Sequence, residues 1–312
     1  MIKKPKFWDL NKPNFLSYLL FPLTIPIRVN NLFLKFRSKK KFKEVKTICL
    51  GNIYIGGTGK TPTTIKLYEL LKDQFKAVTA KKLYLKHIDE QIILENRSKF
   101  FSASKRIDIV NKAIKDKVEL ILFDDGLQER KIDYDIKFVC FDSESWIGNG
   151  CLIPSGPLRE KLNSLKKYDA IFLKNINSNI DVILNIIKKY NYEMPIFHTK
   201  YEITNLNNFE ISHKYLIFSG IGAPQNFKNL LLRENFNIVK ELIFPDHHIY
   251  SKKDIDKIKS IALEQNAKII TTEKDFVKIP KELNKDLSFA KVDILVKNEK
   301  ELMNFILKKL NE

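Results

Sequence analysis

Short apolar runs alternate with amphipathic stretches along most of this chain. In the first part, runs at 45–50, 77–80, 118–123, 136–141 and 170–173 are rich in β-branched and aromatic residues, which predicts buried strands. Apolar residues at helical spacing predict helices over 61–74, 105–117 and 181–190. The alternation indicates a doubly wound, mostly parallel α/β sheet with helices on both faces.

A polar stretch over 205–213 interrupts this alternation and predicts a linker. Beyond it, apolar runs at 215–218, 236–244 and 268–272 are separated by helical patterns, which indicates a second, smaller α/β domain. The division expected from the sequence is therefore 1–44 as an N-terminal segment of the first domain, 45–204 as the main domain, 205–213 as linker, and 214–312 as a smaller domain that closes over the active site.

Composition narrows the class of protein. The 312 residues are 44% hydrophobic and 29% charged, as in ordinary globular proteins. The three cysteines are far apart and lack metal-ligand spacing; Cys49 and Cys140 lie in apolar runs and are predicted to be buried thiols of a reducing compartment. A net charge of +18 favours an anionic partner, which could be nucleic acid, a membrane surface or a phosphorylated substrate.

The strand at 45–50 leads directly into the turn GNIYIGGTGKT over 51–61. A strand, a glycine-rich turn and a helix in this order predict a phosphate-binding loop, in which Lys60 binds the β- and γ-phosphates and Thr61 ligates Mg²⁺. Tyr54 stands where the strict motif has glycine, so a glycine-rich turn without a ligand is the alternative. The predicted ATP-binding residues are Gly56, Gly57, Thr58, Gly59, Lys60 and Thr61.

Charged residues stand at the ends of two further segments, an apolar run and a loop that contains prolines and a glycine. Asp124 and Asp125 end the run at 118–123, where folds with a phosphate loop place a carboxylate beside Mg²⁺; a simple Asp-Gly turn is the alternative. The proline- and glycine-containing loop 153–160 ends in Arg159 and Glu160, which could bind phosphate and join the metal shell. A surface ion pair explains that loop equally well.

In the second domain, His247 follows an apolar run and an aspartate. Histidine can relay a proton near neutral pH, although a surface or helix-capping role is equally compatible with the pattern. Thr272 and Asp275 resemble a helix cap, and a substrate-facing role for Lys274 is secondary.

The N-terminal segment contains an apolar stretch over 15–27 that is too short to span a bilayer and is broken by Pro22 and Pro26. A basic cluster over 35–43 follows it. An apolar face beside basic residues predicts a segment lying in the membrane interface, held by an anionic membrane surface. A helical hairpin packed on its own domain, followed by a solvated basic loop, is the alternative.

Taken in order, several motifs resemble those of the tetraacyldisaccharide 4′-kinases of lipid A biosynthesis. The matching blocks are GNIYIGGTGKTP over 51–62, DDGLQ over 124–128, GNG over 148–150, PSGPLRE over 154–160, GIG over 220–222, FPDHH over 244–248 and TEKD over 272–275. In this family a residue other than glycine is usual at the position of Tyr54. The resemblance covers most of the chain, from about residue 20 to residue 278.

The resemblance implies a P-loop NTPase-like fold and ATP-dependent phosphorylation of the 4′-hydroxyl of an acylated glucosamine disaccharide 1-phosphate, with Mg²⁺. It implies a monotopic enzyme on the cytoplasmic face of the inner membrane, with no nucleic acid and no obligate protein partner. By position, the metal shell and its supports would be Thr61, Asp124, Asp125, Gln128 and Glu160, with Arg159 neutralising phosphate.

The catalytic base implied by the resemblance is Asp89, oriented by His247, with Lys60 on the phosphate. The family's Ser-Arg-Gly-Tyr block corresponds to Lys81-Lys82-Leu83-Tyr84, which makes Tyr84 a substrate or nucleotide contact. Two other classes remain as alternatives. A membrane-associated P-loop ATPase would hydrolyse ATP to switch partner binding. A basic nucleic-acid-binding module would need aromatic-studded basic motifs, which the sequence lacks.

Overall fold

A computed structural model of the chain describes residues 4–36, 38–83, 88–129, 131–174 and 180–312. Its strands are β1 (Lys46–Gly51), β2 (Ala77–Lys82), β3 (Phe100–Ala103), β4 (Leu120–Asp124), β5 (Ile136–Asp142), β6 (Ala170–Lys174), β7 (Ile196–Ile203), β8 (Lys214–Ser219), β9 (Asn237–Ile243), β10 (Lys268–Thr272), β11 (Leu287–Ala290) and β12 (Val292–Val296). Its α-helices are α1 (Phe15–Leu20), α2 (Ile25–Phe36), α3 (Lys60–Leu71), α4 (Ile88–Arg97), α5 (Arg106–Lys115), α6 (Ile180–Tyr190), α7 (Pro224–Arg233), α8 (Lys252–Glu264), α9 (Glu273–Phe276) and α10 (Glu299–Asn311).

Eight strands form one sheet in the order β12-β7-β6-β5-β1-β4-β2-β3. β1 pairs in parallel with both β4 and β5, so the chain winds outward from β1 in two directions. Every residue of β4 and β6 is buried, as expected for parallel strands covered on both faces. On β5, Val139 belongs to the core on one face, while Phe138 contacts Phe305 of α10 on the other. The predicted doubly wound α/β fold is confirmed.

The smaller unit contains the parallel sheet β11-β10-β8-β9. Its strands β8, β9 and β10 coincide with the three apolar runs of the second half, with helices α7 and α8 between them. A second α/β unit was therefore read correctly from the sequence. The runs that form β3, β7, β11 and β12 went unpredicted, because each is short or mixes polar residues with apolar ones.

The unit boundaries differ from those expected. One compact unit comprises Met1–Lys82, Phe100–Lys200 and Val296–Glu312, and the other comprises Leu83–Lys99 and Tyr201–Leu295. The segment with α4 joins the smaller unit because α4 packs against α9. Helix α10 returns to the larger unit, where it packs on β5. Within the expected linker 205–213, a short 3₁₀ turn spans Leu206–Asn208.

The N-terminal segment forms two short helices joined by a 3₁₀ turn over Phe21–Thr24 that contains Pro22. Ser17 and Thr24 are buried, and the Asn149 side chain donates a hydrogen bond to the Ser17 hydroxyl at 2.9 Å. The Asn31 amide donates to the carbonyl of Arg159 at 3.0 Å. In the described part of the chain, no helix has the length and apolar character needed to cross a membrane.

The predicted burial of Cys49 and Cys140 is confirmed. Cys49 and Cys140 have no solvent exposure, and burial raises the pKa of both thiols. Thiols in such surroundings stay protonated and pack as small apolar groups.

Candidate active site

The turn after β1 forms a glycine-rich loop whose last residue, Gly59, has a φ of 84° and precedes α3. The Asn52 side chain braces the loop by donating to the Gly56 carbonyl at 3.2 Å and to the Thr58 hydroxyl at 3.1 Å. A Cβ added at Gly57 would meet no atom within 4 Å. The loop therefore leaves an open cradle at the N-terminus of a twelve-residue helix, where backbone N–H groups favour an anion.

Thr61 and Asp124 meet beneath this loop. The Thr61 hydroxyl donates to Oδ2 of Asp124 at 2.8 Å, and the same oxygen lies 2.5 Å from the ammonium of Lys81. Asp124 is at the carboxyl end of β4 and pairs in register with Leu50 of β1 and Lys81 of β2. The register of β2 and β4 thus brings Lys81 to Asp124, and the first turn of α3 adds Thr61.

Asp125 belongs to a second group beside the loop. Its Oδ1 lies 3.9 Å from Nζ of Lys60 and 3.2 Å from Nη1 of Arg159. Its backbone carbonyl accepts a hydrogen bond from the guanidinium of Arg106. Asp125 has a φ of 57°, which is uncommon outside glycine, so these contacts hold the residue in a strained conformation.

Gln128 links Arg159 to Glu160. Its Oε1 accepts from Arg159 at 3.3 Å, while its Nε2 donates to Oε1 of Glu160 at 3.1 Å. Glu160 is buried and also accepts from the Tyr168 hydroxyl at 3.0 Å. Glu160 is therefore held in place by Gln128 and Tyr168.

The Pro154–Glu160 loop is fastened to the phosphate loop by backbone hydrogen bonds. Ile55 N–H donates to the Pro157 carbonyl at 2.9 Å, and Arg159 N–H donates to the Ile53 carbonyl at 2.7 Å. The rigid loop predicted from its prolines and glycine therefore carries Arg159 beside the loop and next to Asp125.

The residues around Thr61 fit a Mg²⁺ ion that shares phosphate oxygens. Oδ1 of Asp124 is buried and accepts no hydrogen bond from the described residues. A hard oxygen donor of this kind, beside the Thr61 hydroxyl, suits Mg²⁺. Over the described ranges, no group of three or more His, Cys, Asp or Glu side chains could hold a metal ion alone. The ion would accordingly need oxygens from a bound nucleotide.

Asp89 and His247 form a pair inside the smaller unit. Nδ1 of His247 lies 3.0 Å from Oδ2 of Asp89, and Asp89 is buried at the first turn of α4. The other carboxylate oxygen of Asp89 accepts no hydrogen bond from the described residues. His247 has a φ of 57° and is held by its N–H donating to the Gly220 carbonyl at 3.0 Å. The pair thus presents one carboxylate oxygen that can accept a proton.

The pairing shifts both pKa values. Burial alone would raise the pKa of Asp89, but the His247 hydrogen bond and the charges of Lys274 and His247 outweigh it and lower this pKa. The hydrogen bond to Asp89 raises the pKa of His247 against the opposing effect of burial. The carboxylate of Asp89 therefore stays deprotonated at a lower pH than that of a free aspartate.

Thr272 and Lys274 lie at the start of α9. Thr272 caps α9 by accepting from Asp275 N–H at 3.1 Å, as expected, and Lys274 forms an ion pair with Glu90 at 2.6 Å. Tyr84 lies outside the described residues. Lys81 was missed as a candidate, although a charged residue that ends an apolar strand is a detectable signal.

Comparisons with known proteins agree with these motifs. The family model described as Tetraacyldisaccharide-1-P 4'-kinase matches residues 16–81 and 74–311. A protein named tetraacyldisaccharide 4'-kinase from Pelagibacter ubique (strain HTCC1062) is 44% identical over 314 residues, which is 100% of this chain and 99% of the relative. A relative of the same name from Rickettsia canadensis (strain McKiel) is 35% identical over 325 residues, covering 98% of this chain and 97% of its own.

A solved structure shows the same fold. The crystal structure of LpxK from Aquifex aeolicus in complex with ATP matches with a TM-score of 0.73 at 20% identity, over 95% of this chain and 100% of that one. With the family model spanning nearly the whole sequence and relatives above 30% identity over full length, this chain belongs to the tetraacyldisaccharide-1-P 4'-kinase family.

Proposed function

We propose that this protein is an ATP-dependent lipid kinase that transfers the γ-phosphate to the 4′-hydroxyl of a tetraacylated glucosamine disaccharide 1-phosphate, a late step of lipid A biosynthesis. The observation that carries the proposal is the Thr61–Asp124 contact of 2.8 Å beneath an open glycine loop, in a member of this kinase family. ATP and Mg²⁺ are the cofactors that this geometry suits.

In the phosphate site, Lys60 and the loop N–H groups bind the terminal phosphates, and Arg159 adds a second positive charge. Mg²⁺, when bound, neutralises charge on the β- and γ-phosphates. Arg159 is kept in position by Asp125 and Gln128 on one side and by the backbone bond to Ile53 on the other. Prepositioned charges of this kind stabilise a phosphoryl-transfer transition state without reorganising during the reaction.

On the acceptor side, Oδ1 of Asp89, which accepts no hydrogen bond from the described residues, takes the proton from the sugar 4′-hydroxyl as the hydroxyl oxygen attacks the γ-phosphate. His247 holds the opposite oxygen of the carboxylate and stabilises its charge. Asp89 is the catalytic base in this scheme, and His247 is a positioning residue.

The test is incubation of the purified full-length protein with γ-labelled ATP and the acylated disaccharide 1-phosphate in detergent micelles. We expect label on the lipid, at a rate that depends on both substrates. ATP hydrolysis without labelled lipid, stimulated instead by a protein, would favour the P-loop ATPase alternative and contradict the proposal. An acyl-free disaccharide 1-phosphate is the matched control for recognition of the lipid chains.

We also propose that α1, α2 and the basic residues after them hold the enzyme on the cytoplasmic face of the inner membrane. Large apolar side chains of these helices are exposed, including Phe15 at 77%, Tyr18 at 66% and Phe33 at 65%. Exposed lysines follow at positions 39, 40, 41 and 43. Apolar burial together with anionic headgroups binds such a segment at the interface, where the lipid substrate is supplied.

Replacing both Phe15 and Phe33 with aspartate is expected to abolish sedimentation with vesicles of anionic phospholipid. Two large apolar contacts become charges, so burial in the interface is lost. The control is Leu263→Asp, because Leu263 is 84% exposed on α8, far along the chain from the N-terminal helices. Vesicle binding of the double variant equal to that of the control would contradict this surface as the membrane contact.

A further inference from the structure

Lys81 and Lys174 are buried lysines in the same sheet, and each pairs with an aspartate on the neighbouring strand. Lys81 is in register with Asp124, with Nζ 2.5 Å from Oδ2, and Lys174 is in register with Asp142, with Nζ 2.6 Å from Oδ2. The four residues have exposed fractions between 0% and 3%. Lysine is seldom fully buried unless its charge is paired, so each contact has to be kept for the fold to tolerate it.

The two pairs differ in what else the aspartate touches. Oδ2 of Asp124 also accepts the Thr61 hydroxyl, and Oδ1 of Asp124 accepts no hydrogen bond from the described residues. The ammonium of Lys81 is therefore at the carboxylate that fits Mg²⁺. Asp142, by contrast, is outside the set of residues predicted to bind phosphate or metal.

A lysine ammonium in this place acts on a divalent cation in two opposing ways. It holds the carboxylate against Thr61 before any cation binds, which keeps the site ordered. It also neutralises the negative charge that would attract the cation, and it repels the cation directly. Coulomb interactions are weakly screened in a buried site. The repulsion between the ammonium and the cation is therefore strong there.

We propose that Lys81 is an internal counter-cation of Asp124 that keeps the metal site assembled and weakens its affinity for Mg²⁺. The inference deepens the proposed function and rests on it for the presence of a nucleotide–cation site. Lys81 acts through Asp124 and is a positioning residue. Its consequence for the enzyme is a Mg²⁺ requirement set by a residue of strand β2, outside the phosphate loop.

The experiment compares Lys81→Met with Lys174→Met, because both remove one buried ammonium from an in-register Lys–Asp pair of the same sheet. A fluorescent ATP analogue reports nucleotide binding to the full-length proteins, first in EDTA and then along a Mg²⁺ titration. Thermal unfolding is measured in EDTA. Lys81→Gln, which keeps a hydrogen-bond donor without the charge, serves if Lys81→Met does not fold, and Lys81→Arg is the conservative variant.

Both methionine variants are expected to unfold several degrees below the unsubstituted protein in EDTA, because each removes a positive charge that is paired with a buried carboxylate. Only Lys81→Met should reach half-saturation of nucleotide binding at a Mg²⁺ concentration lower by about tenfold or more. Lys81→Arg should restore the original Mg²⁺ dependence, since it restores the charge.

Equal Mg²⁺ dependence in the two methionine variants would overturn the inference while leaving the proposed kinase intact. Loss of nucleotide binding in EDTA by Lys81→Met alone would also overturn it, by making Lys81 a phosphate ligand. If the unsubstituted protein binds no nucleotide with or without Mg²⁺, the proposed function fails, and the inference, which rests on a nucleotide–cation site, fails with it.

Discussion

Lys60→Ala is expected to lower kcat/KM for phosphate transfer to the lipid by at least about 10²–10³-fold. Lys60 is the first residue of α3, directly after the left-handed Gly59, and its ammonium is 3.9 Å from Asp125. Its side chain is only 14% exposed, so the charge it contributes to bound phosphates is weakly screened. Alanine leaves the β- and γ-phosphates without that charge in both the bound state and the transition state.

The matched control is Lys66→Ala, on the same helix. Lys66 lies six residues after Lys60 in α3 and forms an ion pair with Glu299 at 2.7 Å. Its loss should change transfer by less than about twofold, because a partly exposed ion pair outside the phosphate loop contributes little free energy. If Lys60→Ala transfers phosphate with the same kcat/KM as the Lys66→Ala control, the proposed role of the phosphate loop is contradicted.

The second large effect is expected for Asp89→Asn, which should lower kcat by about 10²–10⁴-fold, the usual contribution of a general base. Asparagine keeps the size of the side chain and can still contact His247, but it cannot accept the proton. His247→Ala should cost less, because the carboxylate remains. The double variant should be no slower than Asp89→Asn alone, since the two residues act as a unit.

The lowered pKa of Asp89 predicts in which direction the pH profile of the His247→Ala variant will shift. In the unsubstituted protein the pKa of Asp89 is lowered, so activity persists as the pH falls toward acidic values. His247→Ala removes the hydrogen bond and charge responsible, so the pKa of Asp89 rises and the acidic limb of the kcat/KM profile moves to higher pH. Kinetics from pH 4 to 9 measure the shift.

The same pair contributes to stability in a defined pH window. The lowered pKa of Asp89 means that its contribution is lost as the pH falls through that pKa. The raised pKa of His247 means that its contribution is full below about 6.5, the ordinary histidine value, and is lost as the pH rises through the raised pKa. His247→Ala should therefore be most destabilising in mildly acidic solution.

His248→Ala is the control for the pair. The neighbouring histidine contacts Asp254 at 3.2 Å and stacks on Phe244 with 4.9 Å between ring centroids, so its role is local packing. This variant should leave the acidic limb of the profile where it is. An unchanged profile in His247→Ala would show that the Asp89–His247 contact does not tune the base.

The larger sheet was predictable because its strands are nearly continuous apolar runs. The residues 118–123 and 136–141 read as buried strands, and β4 and β5 occupy almost the same positions. Strands such as β7, with the sequence IFHTKYEI, mix polar and apolar residues and give no such signal. The packing of α10 in the larger unit was also not predictable from the sequence pattern, because contacts between segments distant in the chain depend on shape and burial.

Within the site, local chemistry identified residues but not their partners. The motif GGTGKT and the aspartates after β4 were recognisable because backbone geometry and charge determine their use locally. That Glu160 is held by Gln128 and Tyr168, and that Lys81 pairs with Asp124, depends on which strands are neighbours and in what register.

The sequence alone determined the kind of fold, the phosphate loop and the membership in a kinase family, because apolar periodicity and contiguous motifs are local properties of the chain. The resemblance to that family also implied the pairing of Asp89 with His247. Only the tertiary structure decided that Lys81 meets Asp124 and that Arg159 meets Asp125. The reason is physical. A charge is buried only when the fold supplies a counter-charge, and that supply comes from residues dozens of positions away.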